Sequence, residues 1–139
     1  MPFWKCFYHA VWATANREPI ITSAVETIII ATIQHKSNDL NCRIWAINGT
    51  ADHIHIAVSI PPKLSPAEWI RNVKGLSTHE VNGSFPDLPS AFKWQTAYGL
   101  LTFGEKALPF VTAYIQNQKQ HHAEGRIQLP DTAKSQLSE

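Results

Sequence analysis

The segment Asp52-His53-Ile54-His55-Ile56-Ala57-Val58 carries the strongest chemical signal in the chain. Its alternating apolar residues are the pattern of a β-strand. Residues i and i+2 of a strand point to the same face. His53 and His55 therefore project together, and Ile54, Ile56 and Val58 project the other way. Ala57 and Ser59 continue the histidine face with small side chains, which leaves room above the two rings. Two imidazoles at that spacing suit a shared metal ion or a scissile phosphate. The same pattern also fits a half-buried strand whose polar face carries histidines for no chemical purpose. What else the chain can bring to the two rings decides between these readings.

A second group stands near the C-terminus. Tyr114-Ile115-Gln116-Asn117-Gln118 sits in a segment whose apolar positions Phe110, Val111, Tyr114 and Ile115 follow helical spacing. Tyr114 and Gln118 are i and i+4, so a helix places them on one face. A phenol is a competent nucleophile for phosphoryl transfer once its charge is stabilised. An amide oxygen is a competent hard ligand for a divalent ion. Taken alone, Tyr114 also fits an amphipathic core residue with its hydroxyl at the rim.

The ordered set of motifs resembles the single-tyrosine transposases of small bacterial insertion sequences, members of the HUH (His-hydrophobic-His) superfamily. The His53-Ile54-His55 triplet precedes a helix carrying Tyr114 to Gln118. Tyr8-His9-Ala10-Val11-Trp12-Ala13-Thr14 is similar to the first strand of that family, and Asp52 is its usual lead-in to the histidines. Pro61-Pro62-Lys63-Leu64-Ser65, then a helix ending in Val73-Lys74-Gly75-Leu76-Ser77, resembles its central helix. Trp94 with Tyr98, then Gly104, then Tyr114 with Gln118, completes the order. The resemblance spans roughly residues 7 to 122.

The resemblance implies a mechanism. His53, His55 and Gln118 would hold a divalent cation, Mg²⁺ or Mn²⁺. Tyr114 would attack a phosphate of single-stranded or hairpin DNA and form a 5′-phosphotyrosine link that a 3′-OH later reverses. It also implies a homodimer with shared active sites, in which the tyrosine helix of one subunit serves the histidines of the other. Asp52, His9, Lys74 and His121 are candidates for supporting the site or touching DNA. Two alternatives remain: a domesticated or inactive relative that binds hairpin DNA, and another HUH-type nicking nuclease.

Composition bounds these readings. The chain has 139 residues, enough for one domain with a real core. No apolar run is long enough to span a membrane, and Met1 to Cys6 has no signal-peptide anatomy. The two cysteines, Cys6 and Cys42, form no C-x-x-C pair, so a reduced, cytoplasmic setting is expected. Twelve basic residues against eleven acidic ones give a net charge of +1. DNA binders are usually more basic. Any basic surface must therefore be local, with Arg17, Lys36, Arg43, Lys63, Arg71, Lys74, Lys93, Lys119 and Arg126 as candidates.

The elements that must position the site alternate between strand and helix. Strands are expected at Phe7–Thr14, Asn41–Asn48, His53–Ile60 and Gln95–Phe103. The second and third form a hairpin, and Phe7–Thr14 is a candidate exposed edge for pairing with a partner. Thr22-Ser23 caps a helix to about His35. Ser65-Pro66-Ala67-Glu68 is a capping box opening a helix to about Asn82. The start of the Tyr114 helix is left open, because Pro109 cannot sit deep in a helix without a kink. Residues 1–124 read as a single domain and 125–139 as a polar tail. The fold class is α+β: a central antiparallel sheet with packed helices, which the resemblance refines to a ferredoxin-like HUH variant.

Overall fold

A computed structural model describes residues 4–123, with side chains described through residue 120. Four strands, β1 (Phe7–Ala13), β2 (Arg43–Gly49), β3 (His53–Ser59) and β4 (Gly99–Phe103), form one sheet in the order β2-β3-β1-β4. Every neighbouring pair is antiparallel. Helix α1 (Ser23–Asp39) joins β1 to β2, and helix α2 (Pro66–Ser84) joins β3 to β4. This β-α-β-β-α-β succession is the ferredoxin-like arrangement. Helices α3 (Leu108–Gln116) and α4 (Gln118–Ala123) follow β4.

The strand register decides what faces what. His55 stands opposite Val11, and Ala57 opposite His9. The odd-numbered residues of β1 and β3 therefore share one face, and Ala10, Trp12, Ile54, Ile56 and Val58 share the other. That second face meets α1 and α2 in the main core with Val25, Ile29, Ile33, Trp69 and Val73. Each such apolar side chain contributes on the order of 1.5–3 kcal/mol when taken out of water. Trp12 meets Trp69 and Trp94 edge-on, both at 6.0 Å between ring centroids. The indole N–H groups of Trp69 and Trp94 donate to Ser37 Oγ (2.8 Å) and Ser77 Oγ (2.9 Å).

Both expected caps form. The Thr22 hydroxyl accepts from the amide of Val25 at 3.2 Å, and the Ser65 hydroxyl accepts from the amide of Glu68 at 3.1 Å. Pro109 falls in the first turn of α3, where its missing N–H costs nothing. The fourth strand is shorter than expected: Trp94 makes only an isolated bridge to Thr14 before the chain re-enters the sheet at Gly99.

One expectation is corrected. Phe7–Ala13 is no edge but an interior strand between β3 and β4. Nearly all its residues are buried, because both of its faces are covered by packed elements. The edges of the sheet are β2 and β4. Among the described residues, no helix is long and apolar enough to cross a membrane. The proposed 125–139 tail lies outside the described residues.

Candidate functional site

Helix α3 covers the histidine face, packing on β2 and β3. A second, smaller core forms there from Ala46, Ala57, Tyr114 and Ile115, joined by Trp45, Phe103 and Val111. The two alanines leave the room that the tyrosine fills. Phe110, expected on this apolar stripe, instead points outward and is 71% exposed.

His53 and His55 stand side by side as their i, i+2 spacing requires, with ring centroids 5.2 Å apart. Both are fully buried. The ring of Tyr114 meets His55 edge-on at 6.0 Å and His9 at 6.1 Å. The nucleophile candidate thus meets His55 and His9 within one chain. Gln118 is also buried, and its Nε2 donates to the carbonyl of Tyr114 at 3.2 Å. The helix carrying both residues is not continuous, because α3 ends at Gln116 and α4 begins at Gln118. Asn117, at φ −98° and ψ 16°, makes the break.

Each imidazole has its Nδ1 taken by a defined partner. His53 Nδ1 donates to the Asp52 carboxylate at 2.7 Å, with the Thr50 hydroxyl 3.1 Å away. His55 Nδ1 lies 3.0 Å from His9 Nε2. Both rings would therefore ligate through Nε2, the usual consequence of such outer partners. Burial works to raise the Asp52 carboxyl, but the hydrogen bond from His53 and the nearby Arg17 charge outweigh it and hold it below its ordinary value. Burial pushes His9 down to about 4, so its ring is neutral at pH 7.

The donor chemistry suits a divalent ion with two imidazoles and an amide oxygen. Among the described residues there is no cluster of three or more His, Cys, Asp or Glu side chains that could hold a metal by themselves. The Gln118 oxygen is what would complete the set.

Other sequence candidates fall elsewhere. Lys74 is on the opposite layer, with its ammonium 5.6 Å from the centre of the Trp12 ring. It donates to the carbonyls of Gln95 (2.7 Å) and Ala97 (3.2 Å), so it braces the chain before β4 rather than joining the histidines. Trp94 is core and Tyr98 packs against that core. The side chain of His121 lies outside the described residues.

Arg17 was only one of several basic candidates in the sequence, yet it reaches this site. Its Nε is 3.4 Å from Asp52 Oδ2. Asn16 and Arg17 hold left-handed backbone angles, φ 57° and 52°, a strained conformation that no spacing rule announces.

The model of the family described as "Transposase IS200 like" matches residues 2–118. The chain belongs to the IS200-like transposase family. The transposase for insertion sequence element IS200 of Salmonella typhimurium is 29% identical over 125 residues, covering 87% of this chain and 79% of that protein. The Salmonella typhi counterpart gives the same values. The fold of this IS200-like transposase also matches solved structures. A candidate transposase from Deinococcus radiodurans R1 superposes with a TM-score of 0.69 at 21% identity, over 85% of this chain and 95% of that one. A REP-associated tyrosine transposase bound to a REP hairpin gives 0.65 at 16% identity, over 91% and 76%.

Proposed function

We propose that this transposase cuts single-stranded or hairpin DNA through Tyr114 and keeps the bond energy in a 5′-phosphotyrosine link. The observation that carries the reading is the edge-on packing of Tyr114 against His55 in the same chain. A nucleophile must sit beside the groups that hold its phosphate before proximity can help.

The Tyr114 hydroxyl releases its proton to solvent as its oxygen attacks phosphorus and forms the new P–O bond. The bond from phosphorus to the 3′ oxygen breaks, its electron pair leaves on that oxygen, and a solvent proton completes the 3′-OH. A second 3′-OH attacking the phosphotyrosine runs the step in reverse and joins new ends, so no nucleotide cofactor is consumed. His53, His55 and Gln118 would hold a divalent cation, Mg²⁺ or Mn²⁺, which when bound polarises the phosphate and stabilises the charge that develops there. Asp52 and His9 hold the two imidazoles in the tautomer that presents Nε2. The small core under α3 fixes the tyrosine ring and keeps water from its buried side.

The intrachain contact favours a tyrosine that serves its own subunit. A homodimer with exchanged helices, as the resemblance implies, would instead bring the partner's tyrosine to these histidines. The near-neutral net charge favours a second reading, a hairpin-binding relative that does not cut.

The test is incubation with labelled hairpin DNA and Mn²⁺, then denaturing electrophoresis. The parent should give a protein–DNA adduct. Tyr114→Phe should bind the hairpin and give none. An undiminished adduct from the Phe variant would move the nucleophile to another residue, with Tyr98 next in line. Hairpin binding with no adduct from the parent would favour the binding-only reading.

A further inference from the structure

Asn48 is marked by no motif, yet it stands directly opposite His55 in the β2–β3 register. Opposed residues of an antiparallel pair share a face, so Asn48 is on the histidine side of the sheet. Its side-chain amide is engaged at both ends. Nδ2 donates to the carbonyl of Gln116 at 3.0 Å. Oδ1 accepts from the Lys119 ammonium at 2.7 Å and from the Gly49 amide at 2.9 Å.

Those partners flank the break in the C-terminal helix. Gln116 is the last residue of α3 and Lys119 the second of α4, with Asn117 between. One amide on the sheet therefore grips both sides of the break. Lys119 adds a second tether: its ammonium reaches the Glu26 carboxylate at 2.8 and 3.0 Å and the Gly49 carbonyl at 3.1 Å. Glu26 is in the first turn of α1, so the network ties α4 to two other elements.

Tyr114 lies two residues before the first anchor, and Gln118 lies between the two. Apolar contacts seat α3 on Ala46 and Ala57, and such contacts are not directional. Across the break at Asn117 the backbone of α4 could turn relative to α3, with only the flexible Gln118 side chain bridging back to the Tyr114 carbonyl. Hydrogen bonds at fixed atoms remove that freedom.

We infer that Asn48, acting with Lys119, is a positioning residue that sets Tyr114 and Gln118 in register over His53 and His55. The inference rests on the phosphotyrosine reading for its functional consequence, though not for the tether itself.

The experiment uses the full chain with Asn48→Leu, which keeps volume and loses both polar ends, and Lys119→Met, which loses only the ammonium. Lys119→Arg keeps charge and reach. Four quantities are read: thermal unfolding, hairpin affinity, amide hydrogen exchange, and single-turnover adduct formation with Mn²⁺. The tether predicts exchange roughly tenfold faster across residues 113–120, with the sheet unchanged. Adduct formation should slow about five- to tenfold in Asn48→Leu and Lys119→Met. Hairpin affinity should hold, and Lys119→Arg should recover most of the rate.

Parental adduct rates in both disruptive variants would overturn the positioning role. So would faster exchange spread evenly over the whole sheet, which marks a general stabilising contact. If the parent forms no adduct, the phosphotyrosine reading fails by itself. Local exchange then decides the tether alone: unchanged exchange at residues 113–120 overturns it.

Discussion

His9 Nε2 and His55 Nδ1 stand 3.0 Å apart across the paired strands β1 and β3. One proton must sit between them. His9 is neutral at pH 7 because burial pushes it down to about 4, so its Nε2 can accept while its Nδ1 carries the hydrogen. In that tautomer His55 would donate from Nδ1 and present Nε2. The same logic holds for His53, whose acceptor is the Asp52 carboxylate. Removing the acceptor in His9→Ala should release the His55 ring without unfolding the sheet. Mn²⁺ affinity, measured by calorimetric titration, should fall about 10- to 100-fold. An unchanged affinity would show that His55 is oriented by something else.

The two imidazoles themselves should behave as an all-or-none pair. His53→Ala or His55→Ala should abolish adduct formation while circular dichroism stays that of the parent. EDTA should abolish it in the parent, and added Mn²⁺ should restore it. Full strand cleavage in EDTA would remove the metal from the proposed chemistry.

Gly49 closes β2 just before the turn into His53. A Cβ there would run into the carbonyl oxygen of His53, a backbone atom that cannot swing aside. Gly49→Ala should therefore push the hairpin open at the residue that carries the site. The expected cost is about 1–3 kcal/mol of stability, read from urea unfolding. Adduct yield should fall more steeply than stability, since His53 is displaced directly. A silent substitution would mean that the turn relaxes without moving His53.

Short-range chemistry made much of this structure legible in advance. The Ser65 and Thr22 caps are local, and both hydroxyls accept as read, while the Glu68 carboxylate of the expected box meets Arg71 instead. The histidine face follows from a period of two, and the room above it from Ala57. Longer-range placement was harder to see. Phe7–Thr14 reads as an apolar edge that could invite a partner, but Phe7, Ala10, Val11, Trp12 and Ala13 leave neither face polar. That is the pattern of an interior strand. Lys74 was a candidate for supporting the site or touching DNA through the central-helix resemblance; nothing local announced the carbonyls of Gln95, Thr96 and Ala97 beside it. Asn48 was within reach of inference. Once Ala51-Asp52 is taken as the turn, Thr50 runs against His53 and the register puts Asn48 opposite His55.

Lys74 allows a test in which stability and DNA binding separate. Burial pushes its ammonium from 10.5 down to about 8, against the pull of the carbonyls of Gln95, Thr96 and Ala97. A lysine whose folded value is depressed binds fewer protons folded than unfolded between those two values. Stability should therefore rise with pH from about 8 to about 10.5, and below that window the buried charge is a constant burden. The rise should be about 1 kcal/mol, because the half-buried ammonium keeps some solvent. Urea unfolding at several pH values should show it in the parent and lose it in Lys74→Met. In the same variant, hairpin affinity at fixed salt should match the parent, since the ammonium is spent on backbone oxygens on the layer opposite His53. A weaker affinity with a shallower salt dependence would instead return Lys74 to the DNA surface.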